Sequence, residues 1–433
     1  MQNHYIYISK LEIKKKYNNK DYKMSKELIN RMVNLRIPIV LLPLEEIDSQ
    51  TLEDSQTEEL DKQQPLESTQ GKYIVMFSNR ISNHEDTDYK CEELDKIPGF
   101  KSRHIYNNTF HGCCATINKG LMRQLMNDPD ILYIERDELL YETGYEKVPI
   151  DSQNFEKAVA YWHQTITNTV QTATDNFSTV HCYVLDTGIL ANHTEFSLGQ
   201  VVMDYNAISK SNRAQDDNGH GTGVASIIGG KTTGVANRAT LHSIKVLDST
   251  GAGYTSDIIA GLNWVIANKR TPCVINMSLT GAFSSTLNTA VQNCINAGIQ
   301  VICAAGNEGI DAGSLSPANS TAVITTSAYD SSKTRPNWSN YGSVVDTFAP
   351  GASLRAAWGD STTSYFLVSG TSFASPLVAG IICRFLQARP NSKPTDIKSY
   401  LKRTSLLNEI INTGSDVTPN ERIVWDQNKV NPC

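Results

Sequence analysis

Five short apolar runs, at residues 181–185, 240–246, 274–279, 301–305 and 323–327, alternate with helix-like patterns at 256–268, 285–297 and 375–387. A strand that is apolar at successive positions must be covered on both faces, and the intervening helices supply the cover. The alternation therefore predicts an α/β fold with a parallel sheet and helices on both sides. In such sheets ligands gather at the carboxyl ends of the strands. With 433 residues, 40% of them apolar, the chain is long enough for two or three domains. A net charge of −6 without a dense Lys/Arg stripe gives no electrostatic reason for a nucleic-acid partner.

Three segments carry groups that suit nucleophilic catalysis. Gly370-Thr371-Ser372-Phe373-Ala374-Ser375-Pro376 follows an apolar run and presents Ser372 at a helix start. A serine hydroxyl is a weak nucleophile unless a base, itself oriented by a third group, stands beside it. Val184-Leu185-Asp186-Thr187-Gly188 places a carboxylate where a strand meets its loop, and Asn218-Gly219-His220-Gly221-Thr222 places an imidazole at another helix start. A fourth segment, Ala304-Ala305-Gly306-Asn307, ends a strand with a side-chain amide. Each segment alone reads as ordinary turn or helix-start chemistry. Taken together, in the chain order Asp, His, Ser, they match the order of subtilisin.

On these motifs the chain resembles the subtilisin-like serine proteases, closest to their proteinase K-like branch, from about residue 72 to about residue 403. The resemblance implies a serine endopeptidase that hydrolyses peptide bonds through an acyl-enzyme, with Asp186, His220 and Ser372 as the triad. It implies that Asn307 donates to the oxyanion. It assigns substrate binding to Gly251, Ala252, Gly253, Ser278, Leu279, Thr280 and Gly281, with Ala304, Ala305 and Gly306. It further implies a structural calcium held by the carbonyls of Thr321 and Val323 and the carboxylate of Asp346, and no catalytic cofactor. Two positions depart from the pattern: Gly223 stands where relatives usually have a second histidine, and Leu377 where proteinase K-like relatives have one. A catalytically inactive binding or chaperone protein of the same fold is the alternative.

The chain before the main domain divides by composition. Residues 1–44 form a leader in which only 37–44 is continuously apolar; this run is too short to span a bilayer. It reads either as the core of a secretory signal, preceded by Arg31 and Arg36, or as a divergent N-terminus. Residues 45–70 are acidic and read as a solvated linker. Strand-like runs at 73–77, 110–117 and 131–135 with a helical pattern at 118–127 predict a small α+β unit over 71–142. It resembles the inhibitory propeptide of the same family. The expectation is a self-processed zymogen cut within 139–151, the propeptide serving as its intramolecular inhibitor, and a peptidase domain over 143–433 that opens with a helical pattern at 153–166. A secreted or endomembrane monomer acting on polypeptides, with no transmembrane anchor, completes this reading. The nine cysteines lack paired metal-ligand spacing, and several sit in apolar runs as small hydrophobes. Gly230-Lys231-Thr232 lacks the first glycine of a phosphate loop, and His193 reads as a packing residue.

Overall fold

The computed structural model describes residues 70–144, 146–150, 162–169, 177–407, 409–411 and 422–423. The leader, almost all of the acidic linker, the start of the 153–166 pattern and Cys433 lie outside the described residues. The chain separates into two compact units, one ending at Asp137 and one beginning at Glu138.

The first unit is a four-stranded antiparallel sheet of β1 (Gln70–Phe77), β2 (Phe100–Tyr106), β3 (Gly112–Asn118) and β4 (Ile131–Arg136), in the order β2-β3-β1-β4. The helix α1 (His84–Asp95) joins β1 to β2, and the short α2 (Met122–Met126) joins β3 to β4. This is the split β-α-β arrangement. Neither α1 nor β2 was expected from the sequence. In α1 only Thr87, Lys90, Cys91 and Leu94 are buried, so its apolar stripe is hidden among acids. Its start is fixed by Asn83, whose side chain accepts from the Asp86 N–H at 2.9 Å. Lys90 is tolerated inside because Asp128 stands 2.8 Å and Glu93 3.2 Å from its ammonium.

The second unit opens with two short strands, β5 (Leu139–Glu142) and β6 (Glu146–Pro149), and the one-turn helix α3 (Trp162–Ile166). Its centre is the expected parallel sheet. The seven parallel strands are β7 (His181–Asp186), β8 (Val201–Asn206), β9 (Thr240–Lys245), β11 (Cys273–Met277), β13 (Gln300–Ala304), β15 (Ile324–Tyr329) and β16 (Thr347–Pro350). They run in the order β16-β15-β13-β11-β7-β9-β8. The short β19 (Leu406–Leu407) and β20 (Arg422–Ile423) extend the β16 edge. Between them lie β10 (Ala252–Tyr254), β12 (Leu279–Ala282), β14 (Leu315–Ser316) and the hairpin of β17 (Leu354–Ala357) with β18 (Tyr365–Ser369).

Helices α4 (His220–Gly229), α5 (Thr255–Asn268), α6 (Ser285–Asn296), α7 (Thr371–Ala388) and α8 (Pro394–Thr404) cover this sheet. The helix α7 starts four residues before the expected Ser375, although Pro376 lies inside it. Proline offers no N–H to the carbonyl four residues back, which here belongs to Ser372. That carbonyl instead accepts from the Ser278 hydroxyl at 2.8 Å, so the helix keeps its first turn. Among the described residues α7 is the one helix long and apolar enough to cross a membrane, yet 89% of it is buried in the fold. The eight described cysteines are all buried and none is in a disulfide.

Candidate active site

The sheet brings the candidate groups to one place by ordinary strand and helix ends. Asp186 is the last residue of β7, and His220 is the first residue of α4. The two side chains meet, His220 Nδ1 lying 2.8 Å from Asp186 Oδ1. Both are fully buried. The loop holding them depends on Asp216, which sequence reasoning missed. Its Oδ1 accepts from the Gly219 and Asn218 N–H groups and the Thr187 hydroxyl, and its Oδ2 from the Thr222 N–H at 2.9 Å. Gly219 has φ +112, and a Cβ there would fall 2.1 Å from the Trp358 ring nitrogen. Only glycine meets both demands.

The departure at Gly223 has a physical reason. A Cβ on Gly223 would lie 3.1 Å from the Trp358 indole, which fills the place of a larger side chain. Trp358 is 6% exposed and meets the His220 ring edge to face, with centroids 6.5 Å apart. Leu377 is simply buried in the core.

Ser372 lies in the first turn of α7, and its hydroxyl has two partners, neither of them His220. The Thr143 hydroxyl is 2.6 Å away and the Ser278 carbonyl 3.2 Å. His220 Nε2 is buried without a hydrogen-bond partner. The Thr143 carbonyl accepts from the Asn307 side-chain amide and, at 3.4 Å, from the Ser372 N–H. Asn307 is aimed by Thr371, whose N–H and hydroxyl both donate to Asn307 Oδ1 at 2.9 Å. Those two donors fix which end of the carboxamide is the oxygen.

Residues ahead of Thr143 run as a third strand between two others. In β5, Leu140 pairs with Gly253 of β10 and with Gly281 of β12, and Tyr141 with Ala252 and Thr280. The Glu142 N–H donates to the Gly251 carbonyl at 2.9 Å, and the Thr143 N–H to the Ser278 carbonyl at 3.2 Å. All seven residues expected at 251–253 and 278–281 therefore border this strand. Beyond Gly144 the chain continues as β6, antiparallel to β18. Ala304 closes β13, and the Ala305 and Gly306 N–H groups bond to Thr326 and Thr371, so this stretch carries Asn307 to its place.

Glu142 sets the electrostatics. Its Oε2 is 3.7 Å from His220 Nδ1. Burial works against a charged His220, but the carboxylates of Asp186, Glu142 and Asp216 outweigh it and raise its pKa to about 9. Burial likewise pushes the Glu142 carboxyl up, with His220 pulling the other way.

Away from this cleft, His193 is a buried structural residue: its Nε2 is 2.9 Å from the Ser364 carbonyl and its Nδ1 accepts the Glu195 N–H. Glu195 takes the Thr232 and Thr233 N–H groups, the ones a phosphate loop would have offered. Of the calcium ligands expected at Thr321, Val323 and Asp346, the first and the last meet a cation of the chain's own. The Lys398 ammonium donates to the Thr321 carbonyl at 2.8 Å and stands 3.9 Å from Asp346 Oδ1. An ammonium in that position and a divalent ion on the same oxygens exclude each other, so these residues as arranged do not fit calcium.

The family model described as "Subtilase family" matches residues 179–426. The chain is 40% identical to the extracellular serine proteinase of Thermus sp. (strain Rt41A), over 73% of this chain and 76% of that protein. It is 32% identical to the alkaline proteinase of Hapsidospora chrysogena, over 84% of this chain and 94% of that one. Among solved structures, a cold-adapted subtilisin-like serine proteinase is 35% identical with a TM-score of 0.58, covering 61% of this chain and 97% of its own.

Proposed function

We propose, from the premise that this chain belongs to the subtilase family and is a serine endopeptidase, that Asp186, His220 and Ser372 are its triad and that it cuts itself between Thr143 and Gly144. The observation that carries this reading is the Thr143 carbonyl, held by the Asn307 amide and the Ser372 N–H beside the Ser372 hydroxyl. A carbonyl so held is where a scissile bond is attacked.

The Ser372 hydroxyl rotates from Thr143 to His220 Nε2, gives up its proton there, and Oγ attacks the Thr143 carbonyl carbon. Negative charge builds on the oxygen that Asn307 and the Ser372 N–H already face. The tetrahedral intermediate collapses, His220 returns the proton to the Gly144 nitrogen, and the acyl group stays on Ser372. Water, deprotonated by the same imidazole, then attacks the ester; its bond to Ser372 Oγ breaks, the imidazolium returns the proton to Oγ, and a Thr143 carboxylate is released. Asp186 keeps the Nδ1 proton in place and stabilises the imidazolium. Other polypeptides follow the same path, lying between β10 and β12 as residues 139–143 do.

In this reading residues 71–143 are the propeptide and the mature enzyme begins at Gly144. The Thermus relative, named as extracellular, supports an enzyme that acts outside the cell, and we read it as a monomer. N-terminal sequencing tests the central claim: the wild type should yield a fragment beginning at Gly144, whereas Ser372→Ala should accumulate uncut. A Ser372→Ala chain still cut at Thr143 when expressed without other proteases would refute self-processing. Labelling of Ser372 by a serine-reactive phosphonate separates the enzyme from an inactive binding protein, which would stay unlabelled.

A further inference from the structure

We infer that Lys398 is a built-in counter-cation, and that its ammonium holds together the loop and carboxylate which would otherwise bind calcium. Asp346 is clamped to the start of β15 at two points: its N–H donates to the Thr325 carbonyl at 2.9 Å and its Oδ2 accepts the Thr325 N–H at 3.0 Å. The clamp engages Oδ2 and leaves Oδ1 for a cation. Lys398 supplies it from α8, reaching Thr321 at 2.8 Å and Asp346 Oδ1 at 3.9 Å.

The helix delivers the lysine to a fixed position, because Ile397, Tyr400 and Leu401 on its inner side are buried in the core. Lys398 itself is about one-third exposed, with its ammonium on the loop. Charge also favours the ammonium. One carboxylate balances one ammonium, whereas a divalent ion with the same single carboxylate keeps an excess positive charge and needs six to eight oxygens. The loop at 316–323 is thus tied to α8 by the chain itself, at any calcium concentration. Removing the ammonium should uncover a calcium site made of Asp346 and the neighbouring carbonyls.

The test is thermal unfolding of the full chain, carried as Ser372→Ala to prevent self-digestion, in chelator and in excess calcium. Four versions are compared: Ser372→Ala alone, and with Asp346→Asn, Lys398→Met, or both. Asparagine keeps an oxygen for the Thr325 N–H while removing the charge. The parent and its Asp346→Asn form should respond to calcium equally, so any response they share arises elsewhere. Lys398→Met should gain a calcium-dependent rise, on the order of 5 °C at calcium about 100-fold above its dissociation constant. Asp346→Asn should abolish that gain. If Lys398→Met folds poorly, Lys398→Gln with a calorimetric calcium titration gives the same comparison. A parent whose calcium response is larger than that of Asp346→Asn overturns the inference, since calcium then binds with Lys398 in place. A Lys398 variant that folds and gains no calcium binding overturns it as well, because the ammonium is then no substitute for a metal.

Discussion

At the scale of single residues, the proposed self-cleavage turns on the charge beside the base. His220 accepts a proton only when neutral, and with Glu142 in place its pKa stands at about 9. Self-cleavage should therefore quicken as pH rises toward 9. Once residues 139–143 have left, one of the carboxylates that raised this pKa is gone, and the acid limb of peptide hydrolysis should lie at lower pH. Glu142→Gln should move the self-cleavage limb down toward it. Single-turnover self-cleavage and kcat/KM, each measured against pH, check this; coincident limbs in the wild type would end the argument. Asn307→Ala should cost turnover on the order of 10²- to 10³-fold, a size known from the corresponding asparagine of the family rather than obtained from this geometry. A loss below about fivefold in kcat would take the oxyanion role from it. Glycines and small residues marked the turns that carry Asp186, His220, Ser372 and Asn307, but only their chain order and the family resemblance grouped them; the structure brings Asp186 to His220 and Asn307 to Ser372 through the shared Thr143 carbonyl. Glu142, Trp358 and Lys398 were not legible, since each works through a neighbour far away in sequence; Asp216 was not because an aspartate that accepts from the N–H groups of its own turn has no sequence mark to set it apart.

At the scale of elements, the proposal makes β5 the substrate strand, so its residues should matter by face rather than by position. Leu140 is 1% exposed and lies over Gly281, where a Cβ would come within 2.6 Å of its side chain; Leu139 is 37% exposed. Burying one leucine side chain is worth roughly 1.5–3 kcal/mol, a factor of ten or more. Leu140→Asp should slow the half-time of self-cleavage at least about tenfold, while Leu139→Asp should leave it within about twofold. Equal effects from the two would show that the strand does not seat by alternation. The strands β7, β9, β11, β13 and β15 were legible to within a few residues because strands buried on both faces read as short runs that are mostly apolar or small, even where His242, Ser243 and Lys245 interrupt β9 and Thr325, Thr326 and Ser327 interrupt β15. The helix α1 was not legible: tertiary pairing with Asp128 keeps Lys90 inside, and no such pairing shows in a local pattern. The start of α7 was missed for a similar reason, since Ser278 satisfies the carbonyl that Pro376 leaves open.

At the scale of the whole molecule, the proposed self-cleavage makes cutting the chain and freeing the enzyme separate events. Hydrolysis after Thr143 leaves a product whose new carboxylate still faces Asn307 and the Ser372 N–H. Residues 139–142 remain paired on both sides, with β10 and with β12. Those pairings do not depend on the broken bond, and the product's carboxylate adds charge-assisted hydrogen bonds that the amide lacked. The cut strand should therefore stay seated as a product inhibitor until it dissociates or is itself degraded. Dissociation is slow for a segment held along two strands, whereas one freed enzyme molecule can digest many propeptides. Activity on a small peptide substrate should accordingly lag behind the appearance of the Gly144 terminus. The lag should shorten in proportion to added traces of mature enzyme. Gel densitometry of the cut fragment and continuous peptide hydrolysis, followed in one sample, separate the two events. Activity that rises in step with cleavage, with no lag and no effect of added enzyme, would mean that the cut strand leaves as fast as it forms and inhibits nothing.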